Sequence, residues 1–353
     1  MSAHVVHTAA VSALAGAGPF RYQAQSRWCE LPAGCEAVAA ATDSHDQVYV
    51  FNRSEQPVRV FAPEGRFLRS WGEGVFTAPH GIHIGPDDAV YCTDYFDHTV
   101  RKFTPEGRLL MTLGVPGRFS DTGATSVDYR HIRRAAGPFN FPTNLAVAPR
   151  GELFVADGYG NARIHVFSPA GELLHSFGSP GDGPGEFHVP HGIAIDAEGV
   201  VYVADRENSR IQRFTPGGQF IDQWRDVARP CEVFIDRQGR IFTAELGYRA
   251  GMFPGNEPPT ANATGGRVSV FSPDGTLLAR FGGGENPCAA GDFFAPHDIW
   301  VDSRGDFYVS EVVYTAGVSR GLIGPDCHTL QKFVRVEDAS SSPNVSTPEK
   351  GTA

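Results

Sequence analysis

The chain has no run approaching the ~18 consecutive apolar residues of a membrane-spanning helix, so no such span is expected. Basic residues are scarce: 30 Lys and Arg stand against 40 Asp and Glu, giving a net charge of −10. A nucleic-acid groove needs clustered Lys and Arg to neutralise phosphates, so that class of partner is not expected. No Cys-x-x-Cys pair occurs among the six cysteines at 29, 35, 92, 231, 288 and 327. The even count allows disulfides, but the irregular spacing leads us to expect reduced thiols. The first twenty residues, MSAHVVHTAAVSALAGAGPF, contain no Lys or Arg. They lack the charged start of a signal peptide, and a cytoplasmic protein is expected.

Glycine and proline, by contrast, are plentiful, at 41 and 26 residues. Those two residue types set the backbone angles of tight turns. They punctuate an internal repeat of about 40 residues, a period that signals propellers and solenoids. One copy reads PHGIAIDAEGVVYVADRENSRIQRFTPGGQFIDQW from Pro190, and another PTNLAVAPRGELFVADGYGNARIHVFSPAGELLHSFG from Pro142. Further copies begin at Pro79, Pro230 and Pro296, and a degenerate first copy runs from Val38. In the Pro190 copy four short runs, Gly192–Ile195, Val200–Ala204, Arg210–Phe214 and Gln219–Trp224, are separated by turn residues. This is the text of a four-stranded antiparallel meander.

Six such copies suit an all-β, six-bladed β-propeller better than a sandwich or an open solenoid. The sixth copy supplies three strands, at Ile299–Val301, Phe307–Ser310 and Thr329–Val336. Its fourth is expected from the N-terminus, where Arg21–Cys29 (RYQAQSRWC) resembles the outer strand of other copies. The propeller is expected over residues 20–336, after a flexible segment 1–19 and before a disordered, polar tail 337–353. Insertions at Val115–Pro138, Gly247–Gly266 and Val313–Asp326 are expected as rim loops, which commonly carry specificity. A closed ring of this kind is expected to be a monomer.

Histidine follows proline in every second copy, at His80, His191 and His297; the copies between carry Thr143 and Cys231. Alternate blades of a six-membered ring stand about 120° apart, so three equivalent imidazoles would converge on the central axis. Three neutral imidazoles with an open fourth position suit zinc, although iron, cobalt or manganese could also be held.

The second strand of each copy runs back beside the histidine position and ends in Asn52 in the first copy and in an acidic residue in the other five: Asp94, Asp157, Asp205, Glu245 and Glu311. These are expected to cap the following turn. The next residue should stand near the imidazoles, which gives Arg53, Tyr95, Tyr159 (after one extra residue, Gly158), Arg206, Leu246 and Val312. Two arginines suit a small anionic carboxylate substrate, with Tyr95 a further substrate-side group. Tyr159, beside a dication and two guanidiniums, can serve as a general base. Cys231, at the histidine position of its copy, is expected to pack rather than to bind metal.

These residues carry a resemblance. The stretches FNFPTNLAVAP, FVADGYGNARIHVFSP, VPHGIAID, YVADRENSRIQRF and FFAPHDIWVD, within residues 38–311, resemble NHL-type repeats and, more specifically, peptidyl-α-hydroxyglycine α-amidating lyase. That family is the second catalytic domain of peptidylglycine α-amidating monooxygenase. The resemblance implies a six-bladed propeller with catalytic zinc on His80, His191 and His297, Tyr159 as base, and Arg53 and Arg206 toward the substrate. It also implies a structural calcium at Asp298 and the backbone of Ala40 and Ile82. The implied reaction is cleavage of N–CH(OH)–COO⁻ to an amide and glyoxylate by a stand-alone, bacterial-type relative. One departure is Gly160, where the animal enzyme has a disulfide cysteine directly after the tyrosine. A metal-dependent hydrolase such as a lactonase, or another lyase on the same propeller, and a non-catalytic NHL interaction module are the rival expectations.

Overall fold

Turn chemistry and two-residue alternation dictate short antiparallel strands, and the computed structural model arranges them as six blades around one axis. It describes residues 12–249 and 264–336. The first blade is Ala37–Thr42, Val48–Asn52, Val58–Phe61 and Phe67–Trp71, each strand paired only with its sequence neighbours. The same four-strand order recurs from Pro79, Asn144, Pro190 and Pro230. In these five blades strands two and three are buried almost throughout, while the fourth is exposed at its start. The two faces of each blade pack on neighbouring blades, so the core is a series of layers between sheets rather than one central mass.

The ring closes as expected. Pro296–Val301, Phe307–Glu311 and Leu330–Arg335 are completed by Tyr22–Gln25, which pairs antiparallel with Leu330–Arg335. Tyr22 anchors this closure: it is fully buried, edge-on to Phe307 at 4.7 Å and to Phe281 at 5.8 Å. Within the segment before residue 20, Ser12–Ala15 adds a fifth strand outside Tyr22–Gln25. The tail from residue 337 and residues 250–263 of the second rim insertion lie outside the described residues.

The thiol expectation is corrected. Cys288 and Cys327 form a disulfide that ties the loop before the sixth blade to the end of the Val313–Asp326 insertion. Cys29, Cys35, Cys92 and Cys231 are free. Among the described residues no helix is long and apolar enough to cross a membrane.

The register places the functional end. Pro79 pairs with Asp94, Pro190 with Asp205, Pro230 with Glu245 and Pro296 with Glu311. These acidic residues do more than cap the next turn. Asp94 accepts from the N–H groups of Thr77 and Ala78, Asp157 from Asn140, Asp205 from His188, Glu245 from Ala228, and Glu311 from Phe294 and Ala295. Each carboxylate thus clamps the loop that delivers its own blade's inner strand to the axis. Hydrogen bonds to charged acceptors are about twice as strong as neutral ones, which suits a loop whose last residue must be held in place.

Candidate metal centre and active site

The three histidines meet on the axis. His80, His191 and His297 are 2%, 1% and 5% exposed, and their rings lie 4.7–4.8 Å apart centre to centre. Their ligand atoms all fall within 4.8 Å of one another.

Each imidazole is oriented by the next blade. His80 Nδ1 meets the carbonyl of Thr143 at 2.7 Å, His191 Nδ1 that of Cys231 at 2.8 Å, and His297 Nδ1 that of Val38 at 2.7 Å. A carbonyl can only accept, so each Nδ1 carries the proton and each Nε2 of the neutral ring keeps its lone pair. The alternation has a reason: copies without histidine supply the acceptors. All three rings are held neutral. Burial pushes their pKa values down, to about 3 for His297, and nearby positive groups add to the effect.

The residue after each histidine position shows how closely the blades approach. A Cβ on Gly81 would lie 2.5 Å from Asn144 Oδ1, and one on Gly192 2.5 Å from both the Cys231 carbonyl and Glu232 Oε1. Only glycine fits there. At the third junction the sizes reverse, with Asp298 reaching across to the N–H of Ala40.

Tyr159, Arg206, Arg53 and Tyr95 stand around the histidines. Tyr159 Oη is 3.1 Å from both His80 Nε2 and His191 Nε2. Gly158 lets it arrive, since a Cβ there would stand 2.1 Å from the carbonyl of Pro190. Gly160 likewise leaves no room for a Cβ, which would lie 2.6 Å from Asn140 Oδ1. Arg206 donates to Tyr159 Oη at 3.3 Å and lies 5.2 Å above its ring. Arg53 stands 5.8 Å over the ring of Tyr95, which packs edge-on against His80 at 5.4 Å. Burial raises the Tyr95 phenol, which suits a wall rather than a base. Leu246 and Val312 join Cys231 in the apolar packing behind the site. The Cys231 thiol is pushed up to about 11 by burial and is not among the converging ligand atoms.

Sequence reasoning missed the carboxylates behind the arginines. The Glu207 side chain is buried and bonds both Arg206 Nε (2.8 Å) and Arg229 (2.7 Å). Burial alone would raise its carboxyl, but the two guanidiniums outweigh that and hold it low. Its signal was adjacency to Arg206. Glu36, which pairs with Arg53 at 2.7 Å, carried no signal.

The calcium expectation concerns the axis beneath the histidines. Ile82 and Asp298 line a cavity of about 90 Å³ there, together with Asn144 and Glu232. It is the N–H of Ala40 that meets Asp298 Oδ1, at 3.1 Å. Glu232 was also missed. Its sign is an acidic residue at the position where Gly81 and Gly192 stand. Burial raises the carboxyls of Glu232 and Asp298, and repulsion from Asp298 adds to the rise at Glu232.

Comparison with known proteins agrees with this architecture. The NHL repeat profile matches residues 139–167 and 187–214. Peptidyl-glycine α-amidating monooxygenase B of Xenopus laevis is 32% identical over 285 residues, 76% of this chain and 30% of that protein. The chain therefore spans under a third of that relative's length. NHL repeat-containing protein 3 of Mus musculus is 34% identical over 302 residues, 79% of this chain and 77% of that protein. Peptidyl-α-hydroxyglycine α-amidating lyase 1 of Drosophila melanogaster is 34% identical over 271 residues, 70% and 45% of the two chains. Among solved structures, a gluconolactonase from Xanthomonas campestris aligns with TM-score 0.58 at 14% identity, covering 93% of this chain and 99% of that one, a likeness of fold alone. The chain belongs to the NHL-repeat propeller family that includes the peptidyl-α-hydroxyglycine α-amidating lyases.

Proposed function

We propose that this protein is a zinc-dependent carbon–nitrogen lyase that cleaves an α-hydroxyglycine-type carbinolamide, N–CH(OH)–COO⁻, to an amide and glyoxylate. The observation that carries this reading is Tyr159 Oη, 3.1 Å from the free lone pairs of two of three converging imidazoles and bonded to Arg206. The donor set fits zinc: three neutral, buried imidazoles, each oriented by a carbonyl acceptor so that Nε2 is left to bind. Zinc on His80, His191 and His297 would supply Lewis acidity toward a substrate oxygen.

The rest of the chemistry belongs to the side chains. Arg53 and Arg206 hold the substrate carboxylate on the positive side of the site. Tyr159 takes the proton of the carbinol hydroxyl as the C=O of glyoxylate forms. The C–N bond breaks, its electron pair stays on the amide nitrogen, and that nitrogen takes up a proton. Tyr95 and the buried walls keep water from the reacting carbon.

The same reading gives Asp298, with the backbone of Ala40 and Ile82, to a structural calcium. A buried carboxylate pair in a cavity lined by no Lys or Arg suits a hard cation with oxygen ligands. The test is elemental analysis of the purified protein together with a glyoxylate assay on α-hydroxyglycine derivatives. About one zinc per chain with glyoxylate release supports the lyase. Metal without glyoxylate, but with lactone hydrolysis, supports a metallohydrolase. No metal after zinc reconstitution leaves an interaction module.

A further inference from the structure

Arg53 is held by two groups from distant parts of the chain. Glu36 enters the first blade and is 3% exposed. Thr315 lies in a short helix, Val313–Ala316, within the insertion of the sixth blade. Arg53 Nη1 donates to Glu36 Oε2 at 2.7 Å and to Thr315 Oγ1 at 2.8 Å. Thr315 closes the triangle: its hydroxyl donates to Glu36 Oε2 at 2.7 Å and its N–H to Glu36 Oε1 at 2.7 Å. Arg53 Nε leans on the carbonyl of Pro79 at 3.4 Å, the residue before His80. Among the described residues Nη2 makes no hydrogen bond, and the Arg53 side chain keeps 24% of its surface while Glu36 keeps 4%. The guanidinium is fixed on one arm and open on the other.

We infer that Glu36 and Thr315 are positioning residues that aim the open Nη2 arm of Arg53 at the substrate carboxylate. The inference rests on the lyase reading for the identity of that carboxylate. A long arginine loses much rotamer freedom when it binds, and a fork already fixed by an acidic partner loses less. The insertion of the sixth blade thereby acts on substrate binding through Thr315.

Charge alone makes the opposite prediction. If Glu36 only offsets the Arg53 charge, removing its charge would tighten binding of an anion. If it aims the fork, removing it would weaken binding. The experiment compares Thr315→Val, Thr315→Ser and Glu36→Gln in the zinc-loaded protein. It reads KM and kcat for an N-acyl α-hydroxyglycine, and separately the Kd of glyoxylate by calorimetry. Thr315 is exposed, so its variants should melt with wild type.

We expect Thr315→Val to raise both KM and the glyoxylate Kd about tenfold, with a smaller change in kcat. Thr315→Ser, which keeps the hydroxyl, should restore both to within about twofold, and Glu36→Gln should weaken glyoxylate. Tighter glyoxylate in Glu36→Gln with no change in Thr315→Val overturns the inference, as does a wild-type protein that binds no glyoxylate. If wild type turns over no α-hydroxyglycine yet binds glyoxylate, and Thr315→Val binds it less, the lyase reading fails while the positioning role stands.

Discussion

His191 Nδ1 donates to the backbone carbonyl of Cys231 at 2.8 Å, across the junction between the fourth and fifth blades. Equivalent bonds join His80 to Thr143 and His297 to Val38. Each histidine therefore depends on the fold of its neighbour, not on that neighbour's side chain. A closed ring of six makes the arrangement threefold, and threefold convergence is what a tetrahedral metal with one free position requires.

Because the acceptor is backbone, the metal site should tolerate changes at Cys231. We expect Cys231→Ser to retain wild-type zinc stoichiometry. Its cost should be confined to folding stability, about 1 kcal/mol for a hydroxyl in an apolar layer. His191→Ala removes a proposed ligand and should lower zinc affinity roughly a hundredfold or more. Metal analysis after dialysis against a weak chelator separates the two. Zinc loss in Cys231→Ser would make the thiol a ligand after all.

Close approach at the junctions gives a second outcome. Gly192→Ala would place a Cβ 2.5 Å from two oxygens of the fifth blade. Something must shift, and overpacking of this kind costs about 1–3 kcal/mol. Gly217→Ala meets only Thr215 Oγ1 at 3.8 Å and should be nearly neutral. Urea denaturation of the two variants reads the difference. Equal midpoints would show that the blades can separate without cost.

The same junctions show how far the sequence could be read. Pro-His in alternate copies revealed the ring, the register and every axial histidine, because a repeat forces equivalent residues to equivalent places. Tyr159, Arg53 and Arg206 followed by counting along the second strand. Glu36 and Thr315 did not, since they meet across the closure of the ring and lie in segments outside the repeat text. Glu232 was hidden for another reason: its partners Asn144 and Ile193 belong to two other blades. The Cys288–Cys327 bridge likewise joins two loops that no periodicity relates.

The free thiols should be inert in the native protein. Burial pushes Cys35 and Cys231 up to about 11, Cys29 to about 12, and Cys92 well above its ordinary value. The thiolate is the nucleophile, so labelling should be negligible at pH 8 and rise only as pH climbs toward these values. At pKa 11 about one thiol in a thousand is ionised at pH 8. Mass spectrometry after iodoacetamide should find none of the four modified in native buffer and all four in denaturant. Cys288 and Cys327 should appear only after reduction. Rapid native labelling of Cys231 would mean that the layer behind the metal centre opens.

Tyr159→Phe isolates the base. The phenyl ring would keep its edge contacts with His80 at 5.2 Å and His191 at 5.5 Å, and Arg206 would keep its place 5.2 Å above the ring. Only Oη is lost, and with it contacts to two imidazoles and one guanidinium. Zinc content and melting temperature should stay near wild type, because neither the ligand atoms nor the packing changes. The kcat for glyoxylate release should fall about 10²–10⁴-fold, the range for loss of a positioned general base. KM should move little, since Arg53 and Arg206 still hold the carboxylate. A variant with intact metal and full kcat would remove Tyr159 from the proton transfer and leave the hydroxyl proton to water or to another group at the axis.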